Sequence, residues 1–262
     1  MVGINDQEKV VETGEYKNIY KNEGSHFFYT STHYLVEKLI RKYAGNGKLT
    51  ILDAGCGTGG LAKKLSHLAR VSAIDFSAEA VKLAKKNDIH AKLASINSLP
   101  FADNSFDLVT CVDVIYHRQV NDREALSEIA RVLKRGGVLI LRVPANKFLM
   151  SAHDVHVHTA RRYSKKELAN KLRRAGFKIK FISYVHAPIF PISFIRVVLE
   201  RLTRKAAVST VGEVNPILNM ILAAVLKLEA KMISGGVMMP FGQGLIAVAT
   251  TNRQSNPGQK RR

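Results

Sequence analysis

Leu49-Thr50-Ile51-Leu52-Asp53-Ala54-Gly55-Cys56-Gly57-Thr58-Gly59-Gly60 is the stretch whose reading decides the fold. Its first half is a short apolar, β-branched run that reads as a buried strand. The glycine cluster that stops the run leads straight into Leu61-Ala62-Lys63-Lys64-Leu65, a helical pattern. Strand, tight turn and helix start therefore follow one another directly. Glycine lets the backbone take positive φ there and lets a ligand lie against bare peptide groups, with the first amides of the helix expected to aim unpaired N–H groups at it.

Read literally, Gly55-x-Gly57-x-x-Gly60 matches the dinucleotide fingerprint, and Asp75 stands about 20 residues further on, where a ribose-binding acid belongs. Asp53 argues against a pyrophosphate. A carboxylate at the end of the strand would face it, and two like charges ~4 Å apart at an effective dielectric of ~20 repel by about 4 kcal/mol. The same carboxylate suits a ligand with a cationic head, such as a nucleoside carrying an amino acid, with its ammonium toward Asp53 and its ribose toward Asp75.

Four segments, in this order, resemble the class I S-adenosylmethionine-dependent methyltransferases: Leu52-Asp53-Ala54-Gly55-Cys56-Gly57-Thr58-Gly59, Ile74-Asp75-Phe76-Ser77, Leu99-Pro100-Phe101-Ala102-Asp103-Asn104-Ser105-Phe106-Asp107, and Arg131-Val132-Leu133-Lys134-Arg135-Gly136-Gly137. The resemblance implies an α/β fold, a doubly wound seven-stranded Rossmann-like sheet with an antiparallel last strand and a C-terminal helical insertion, and S-adenosyl-L-methionine as cofactor. It places cofactor contacts at Asp53, Gly55, Cys56, Gly57 and Gly59, at Asp75 for the ribose and Phe76 for the adenine face, and at Ser95, Ile96, Asn97 and Val112. Ser95 departs from the pattern, because similar methyltransferases commonly carry an acid there for the adenine amino group. Ser95 or Asn97 is left to supply that oxygen.

At 262 residues the chain suffices for one large α/β domain with an insertion. Two cysteines, Cys56 and Cys111, lie on elements that need not pair and suggest a reducing compartment. With a polar N-terminus and every long apolar run interrupted by charge, a cytoplasmic location is expected, with peripheral contact at the inner membrane as the alternative. The net charge of +19 is unevenly spread: residues 1–150 hold 21 Lys/Arg against 16 Asp/Glu, and residues 151–262 hold 19 against 5. A basic C-terminal half favours nucleic acid, anionic lipid or an acidic substrate, or is merely solvated.

Along the chain, residues 1–30 read as an N-terminal lid or flexible segment, polar to about residue 24 and ending in the aromatic patch Ser25-His26-Phe27-Phe28-Tyr29 ahead of a helix from Ser31 to Tyr43. Residues 31–184 form the cofactor-binding core. The helix that follows the glycine turn is expected to end near Ala69, and strands are expected at 71–75, 91–94, 106–112, 138–143 and 177–184, with helices from Ser77, over 122–133 and over 165–175. Residues 185–243 hold two apolar helical stretches, 188–202 and 216–233, as a substrate cap, membrane surface or dimer surface. Residues 244–252 are the last core strand, and 253–262 a disordered tail.

Asp113-Val114-Ile115-Tyr116-His117-Arg118 forms the tip facing cofactor and substrate. It is neither Asn/Asp-Pro-Pro-Tyr nor a Pro-Cys pair, which disfavours base methylation. The run His153-Asp154, His156, His158 and Arg161-Arg162-Tyr163 resembles a bacterial and archaeal methyltransferase subgroup that also carries a His-Phe-aromatic patch like His26-Phe27-Phe28. Alternation within one loop gives no fixed tetrahedral spacing, so no metal site is expected. Arg161 and Arg162 either fork onto a carboxylate or phosphate of the substrate or pair with Asp154 to hold the loop. Tyr116, Arg161, Arg162 and Tyr163 are the candidate substrate contacts, and His117, His153 and His158 the candidate general bases. The expected activity is methyl transfer to a small-molecule acceptor that is lipid-linked or has an apolar part, by a monomer or homodimer. RNA methylation, a cofactor-binding protein without turnover, and an NAD oxidoreductase are the rivals.

Overall fold

The computed structural model describes residues 13–45, 47–150, 159–203 and 214–251. Helices α1 (Thr13–Asn22) and α2 (Phe27–Tyr43) precede the central strand β1 (Leu49–Ala54). From β1 the chain winds outward through α3 (Gly60–Leu65), β2 (Ala69–Asp75), α4 (Ala78–Lys86) and β3 (Ala91–Leu93). It then crosses back to β4 (Phe106–Val112), beside β1, and continues through α5 (Asp122–Val132), β5 (Leu133–Pro144), α6 (Lys165–Arg174) and β6 (Phe177–Val185). Two long helices, α7 (Phe190–Thr203) and α8 (Pro216–Gly235), come before β7 (Gly244–Thr251). The seven strands lie in the order β3-β2-β1-β4-β5-β7-β6, with β7 antiparallel to both its neighbours and the other pairs parallel.

Alternation along the strands shows why both faces must be covered. Ile51, Leu108, Val138, Ile140, Ile246 and Val248 point into one core with α2 and α3, while Leu52, Val109, Leu139, Leu141, Leu245 and Ala247 point into another with α5 and α6. A strand buried on both sides favours near-continuous apolar runs, and β4 and β5 supply them apart from Thr110 and Arg142, which are buried with polar partners. Caps fall where short polar side chains precede a helix: Ser77, Asn121 and Ser164 each accept a hydrogen bond from an amide of the first turn.

Several expected boundaries move, each for a local reason. The aromatic patch is not ahead of the second helix but is its first turn, because His26 Nδ1 accepts from the Phe28 amide and caps it. Residues 13–22 are not loosely placed: they form α1, with Tyr16 buried against Ala80 and Leu83 of α4. α3 stops at Leu65, and the strand thought to begin at Val71 begins at Ala69, where pairing with Leu49 starts. Leu133 leaves the helix to pair with Phe106, and the ladder resumes only at Leu108 and Val138, so Lys134–Gly137 bulges out of β5. Residues 1–12, 252 and the tail 253–262 lie outside the described residues.

The segment between β6 and β7 is tied to the core at polar points, one buried and one half-buried. Glu229 of α8 accepts from the amides of His186 (2.9 Å) and Ala187 (2.8 Å), which fixes the turn after β6. Asn219 bridges to the entry of α2, accepting from the Phe27 amide (2.8 Å) and donating to the Ser25 carbonyl (3.0 Å). His186, with φ 59°, then presents its ring to Arg142 of β5 and Thr32 of α2. Glu229→Ala strands two buried N–H groups, so urea denaturation is expected to show a loss of about 2–4 kcal/mol, whereas Leu228→Ser on the exposed side stays within about 0.5 kcal/mol.

Candidate functional site

β1 and β4 are neighbours whose onward connections leave in opposite directions, which opens a crevice beyond their carboxyl ends. A cavity of about 710 Å³ fills it. Asp53, the last residue but one of β1, lies on the cavity floor, 2% exposed. Its Oδ1 accepts from the Thr110 hydroxyl of β4 at 2.8 Å, while Oδ2 has no hydrogen-bond partner among the described residues. Burial pushes this carboxyl up to about 7; the Thr110 bond opposes the shift, and Asp75 and Glu23 add to it.

Two further acids stand beside it. Asp75, at the end of β2, accepts from the amides of Gly57 (2.8 Å) and Ser77 (2.9 Å). Glu23, after α1, accepts from the Gly60 amide (3.2 Å) and from Asn87 Nδ2 (3.0 Å). Burial holds both above the ordinary carboxylate range. One end of the cavity is thus acidic in a chain of net charge +19.

The glycine turn works differently from the expectation that its amides face a ligand. Gly55 and Cys56 both donate to the Ile74 carbonyl (2.9 Å each), Gly57 to Asp75, Gly59 to the Cys56 carbonyl (2.9 Å) and Gly60 to Glu23. Those N–H groups are already used, so the turn is not a cradle for phosphates. Its role is to let the chain pass close. Gly55 has φ +86°, and a Cβ there would sit 2.3 Å from Cγ2 of Val114 on the opposing strand tip.

The other end of the cavity is built from β4, β5 and the insertion. Asp113, with φ 59°, follows β4 and pairs with Arg142, whose buried guanidinium lies 4.7 Å from the Phe28 ring centre. Tyr116 and His117 follow, with ring centres 4.3 Å apart. Ile189, Ile192, Val197, Leu218 and Leu222, from α7, α8 and the turn before α7, supply an apolar wall. His33 also lines the cavity, and burial pulls its imidazole down to about 4, so it is neutral at physiological pH.

The cavity therefore gathers Asp53, Gly55, Cys56, Gly57, Asp75 and Phe76 at its acidic end. Ser95, Ile96 and Val112 line it as well, and Tyr116, His117 and Arg162 lie toward the other end. Phe76, 42% exposed, is an edge aromatic and not a core one. Four expected residues lie outside the wall. Gly59 serves packing, since a Cβ there would meet Ala84 at 3.2 Å. Asn97 turns its amide toward the Gln119 carbonyl (3.5 Å). Arg161 pairs with Asp122 (3.2 Å) and donates to the Val120 carbonyl (3.0 Å). Tyr163 is fully buried, its hydroxyl donating to Asp122 (2.9 Å), which makes it a core group. His153, His158, Asp154 and His156 lie outside the described residues. Sequence reasoning missed Glu23, Tyr16 and Arg142. Only Arg142 carried a signal, as the lone charge inside the apolar run Val138–Val143.

These groups fit a nucleoside with a cationic amino-acid end. A dry carboxylate with one unsatisfied oxygen matches an ammonium, a second acid about 20 residues on suits a ribose, and no free amide array invites a pyrophosphate.

Residues 52–141 match the family model described as a methyltransferase domain. The chain is 37% identical over 131 residues to a ubiquinone/menaquinone biosynthesis C-methyltransferase of Geotalea daltonii, covering 45% of this chain and 54% of that protein. It is 32% identical over 160 residues to an uncharacterized protein of Methanocaldococcus jannaschii, covering 60% and 68%. It therefore spans about half the first relative and about two thirds of the second. The fold is similar to that of geranyl diphosphate C-methyltransferase from Streptomyces coelicolor, solved with S-adenosyl-L-homocysteine: TM-score 0.54, 15% identity, 80% of this chain and 76% of that one.

Asp53 titrates inside the useful pH range, and its folded-state value is raised, so it is protonated below about 7. A cationic ligand binds the ionised form. Calorimetry with S-adenosylmethionine should show affinity falling about eightfold from about pH 7.5 to about pH 6. In Asp53→Asn affinity should be lower and this dependence absent.

Proposed function

Because the chain belongs to the class I S-adenosylmethionine-dependent methyltransferases, we propose that it transfers the sulfonium methyl group to a small-molecule acceptor with an apolar part. The observation that carries this reading is the continuity of one cavity from the Asp53 carboxylate to the apolar side chains of α7 and α8. A volume of about 710 Å³ falls within the roughly 300–1,000 Å³ usual for sites that enclose small molecules.

When bound, S-adenosylmethionine supplies a methyl group already activated on a cationic sulfur. The chain has to bind, align and keep dry. Asp53 holds the ammonium and Asp75 the ribose hydroxyls, and Phe76 covers the adenine. The aromatic rings of Tyr16 and Tyr29 close the N-terminal side of the cavity, and burial raises both phenols, so they stay protonated. The wall of Ile189, Ile192 and Leu222 seats the apolar part of the acceptor. His117, buried on the acceptor side, takes the proton where the acceptor atom carries one.

The relatives lend support of the same kind. The Geotalea protein is named for the biosynthesis of ubiquinone and menaquinone, and the Streptomyces structure holds geranyl diphosphate; both ligand types have an apolar body. The basic C-terminal half is the feature that favours RNA instead, yet Asp53, Asp75 and Glu23 make one end of the cavity acidic, which repels a phosphate backbone, and Ile189, Ile192, Leu218 and Leu222 line the other.

Incubation with labelled methyl donor and fractionated cell extract should place label in the organic-extractable fraction. Label confined to RNA, or none anywhere, overturns the proposal. His117→Ala should lower turnover roughly 10²-fold or more while donor affinity is kept.

A further inference from the structure

α7 and α8 leave an apolar face uncovered. Ile195, Leu199 and Leu202 on α7 and Ile217, Met220 and Ile221 on α8 are each 51–75% exposed. Such a concentration on two helices is unlike the scattered exposed hydrophobes of an ordinary surface. α8 packs against α2 through Leu226, Ala230 and Ile233 and is tied to its entry by Asn219, while Ile217, Met220 and Ile221 on its first turns stay exposed.

Two observations say what covers this face. The first is charge. Arg201 of α7 and Lys227 and Lys231 of α8 are exposed, whereas the acid Glu229 is buried on two amides and Glu200 is half-buried. The exposed ionic fringe is basic, and it continues into a C-terminal half with 19 Lys/Arg against 5 Asp/Glu. The second is the cavity. Ile192 and Leu218 line it and are also 65% and 49% exposed, so the cavity reaches the surface within this same face.

We propose that the α7–α8 face docks onto an anionic lipid bilayer, and that an apolar acceptor passes from the bilayer into the cavity between these helices. The delivery part rests on the acceptor reading above; the docking part does not. Greasy side chains enter the interface while arginine and lysine meet the lipid phosphates. Among the described residues no helix is long and apolar enough to cross a membrane, so the contact is lateral. A second copy of the chain fits less well. Each copy carries +19, the face offers no exposed acid from its two helices to the other's bases, and pairing through it would shut the cavity.

The test is flotation of the full chain with vesicles of phosphatidylcholine mixed with phosphatidylglycerol, against phosphatidylcholine alone. Binding to the mixed vesicles is expected, weakened by salt and by removal of the anionic lipid. The quadruple variant Ile195→Ser, Leu199→Ser, Ile217→Ser, Ile221→Ser should bind about tenfold less or weaker still, with melting temperature and donor affinity unchanged, since none of the four lines the cavity. No flotation of the parent chain, or flotation untouched by the four substitutions, overturns the proposal. So does a dimer in sedimentation that the same substitutions dissociate, which would assign the face to a second copy. Vesicle binding needs neither donor nor acceptor, so failure of the methyl-transfer reading would be seen separately, in the labelled-donor experiment.

Discussion

A carboxylate sealed at the end of the central strand is the constraint around which the rest is arranged. Removing a charge from water is costly unless a partner is supplied, and among the described residues Asp53 receives a side-chain hydrogen bond from Thr110 alone. Its neighbours worsen the problem: Asp75 and Glu23 bring two more acids to the same end of the cavity. The folded chain meets this by letting Asp53 take up a proton near neutrality, and a cationic ligand meets it by supplying the missing charge. On the proposed reading, binding energy for the donor is stored as this unsatisfied acid. The glycine turn serves this arrangement by tying its amides to Ile74, Asp75 and Glu23, which brings the strand ends close enough for the acids to share one space.

A second buried charge solves the opposite problem. Arg142 is pinned by Asp113 in front, by the Phe28 ring at its side and by His186 behind. Burial, reinforced by the guanidinium, holds His186 well below its usual pKa, so it meets Arg142 as a neutral acceptor. Glu229 then grips the backbone at His186 and Ala187. A strand of the core, the first turn of α2 and the insertion helix α8 are joined through one chain of polar contacts. Half-satisfied polar groups in a dry interior are costly, so such a chain favours one placement of the insertion over sliding alternatives.

What could be read from the sequence follows from where the physics is local. β1, β4 and β6 end within a residue of their expected limits because apolar runs and Gly or Pro punctuation act over a few residues. Asp53 and Asp75 were legible because strand ends in a parallel sheet face the crevice. Tyr163 was not, because a tyrosine in a charged run looks exposed until Asp122 is seen waiting beneath it. Gly59 belongs to the motif yet packs on Ala84, a distinction that requires knowing which side of the turn faces α4. α1 gave the weakest pattern, since its helix is fixed by Tyr16 and Glu23 reaching residues far along the chain.

The two ends of the cavity are made by different parts of the chain, and their electrostatics differ accordingly. The acidic end belongs to β1, β2 and the segment after α1, whose short connections leave little freedom. The other end takes its wall from α7, α8 and the turn before α7, on a connection of nearly sixty residues between β6 and β7, held to the core at Glu229, Asn219 and the α2 contact. A ligand with a positive end is drawn to the acidic end, where Asp53 Oδ2 has no partner among the described residues. An apolar ligand likewise has its place beside Ile189, Ile192, Leu218 and Leu222, the apolar side chains that the insertion brings to the cavity and its mouth. Orientation of donor and acceptor then follows from charge and polarity before any specific contact is counted. The methyl transfer proposed above depends on that orientation, since approach from the wrong side gives no reaction however tightly each partner binds.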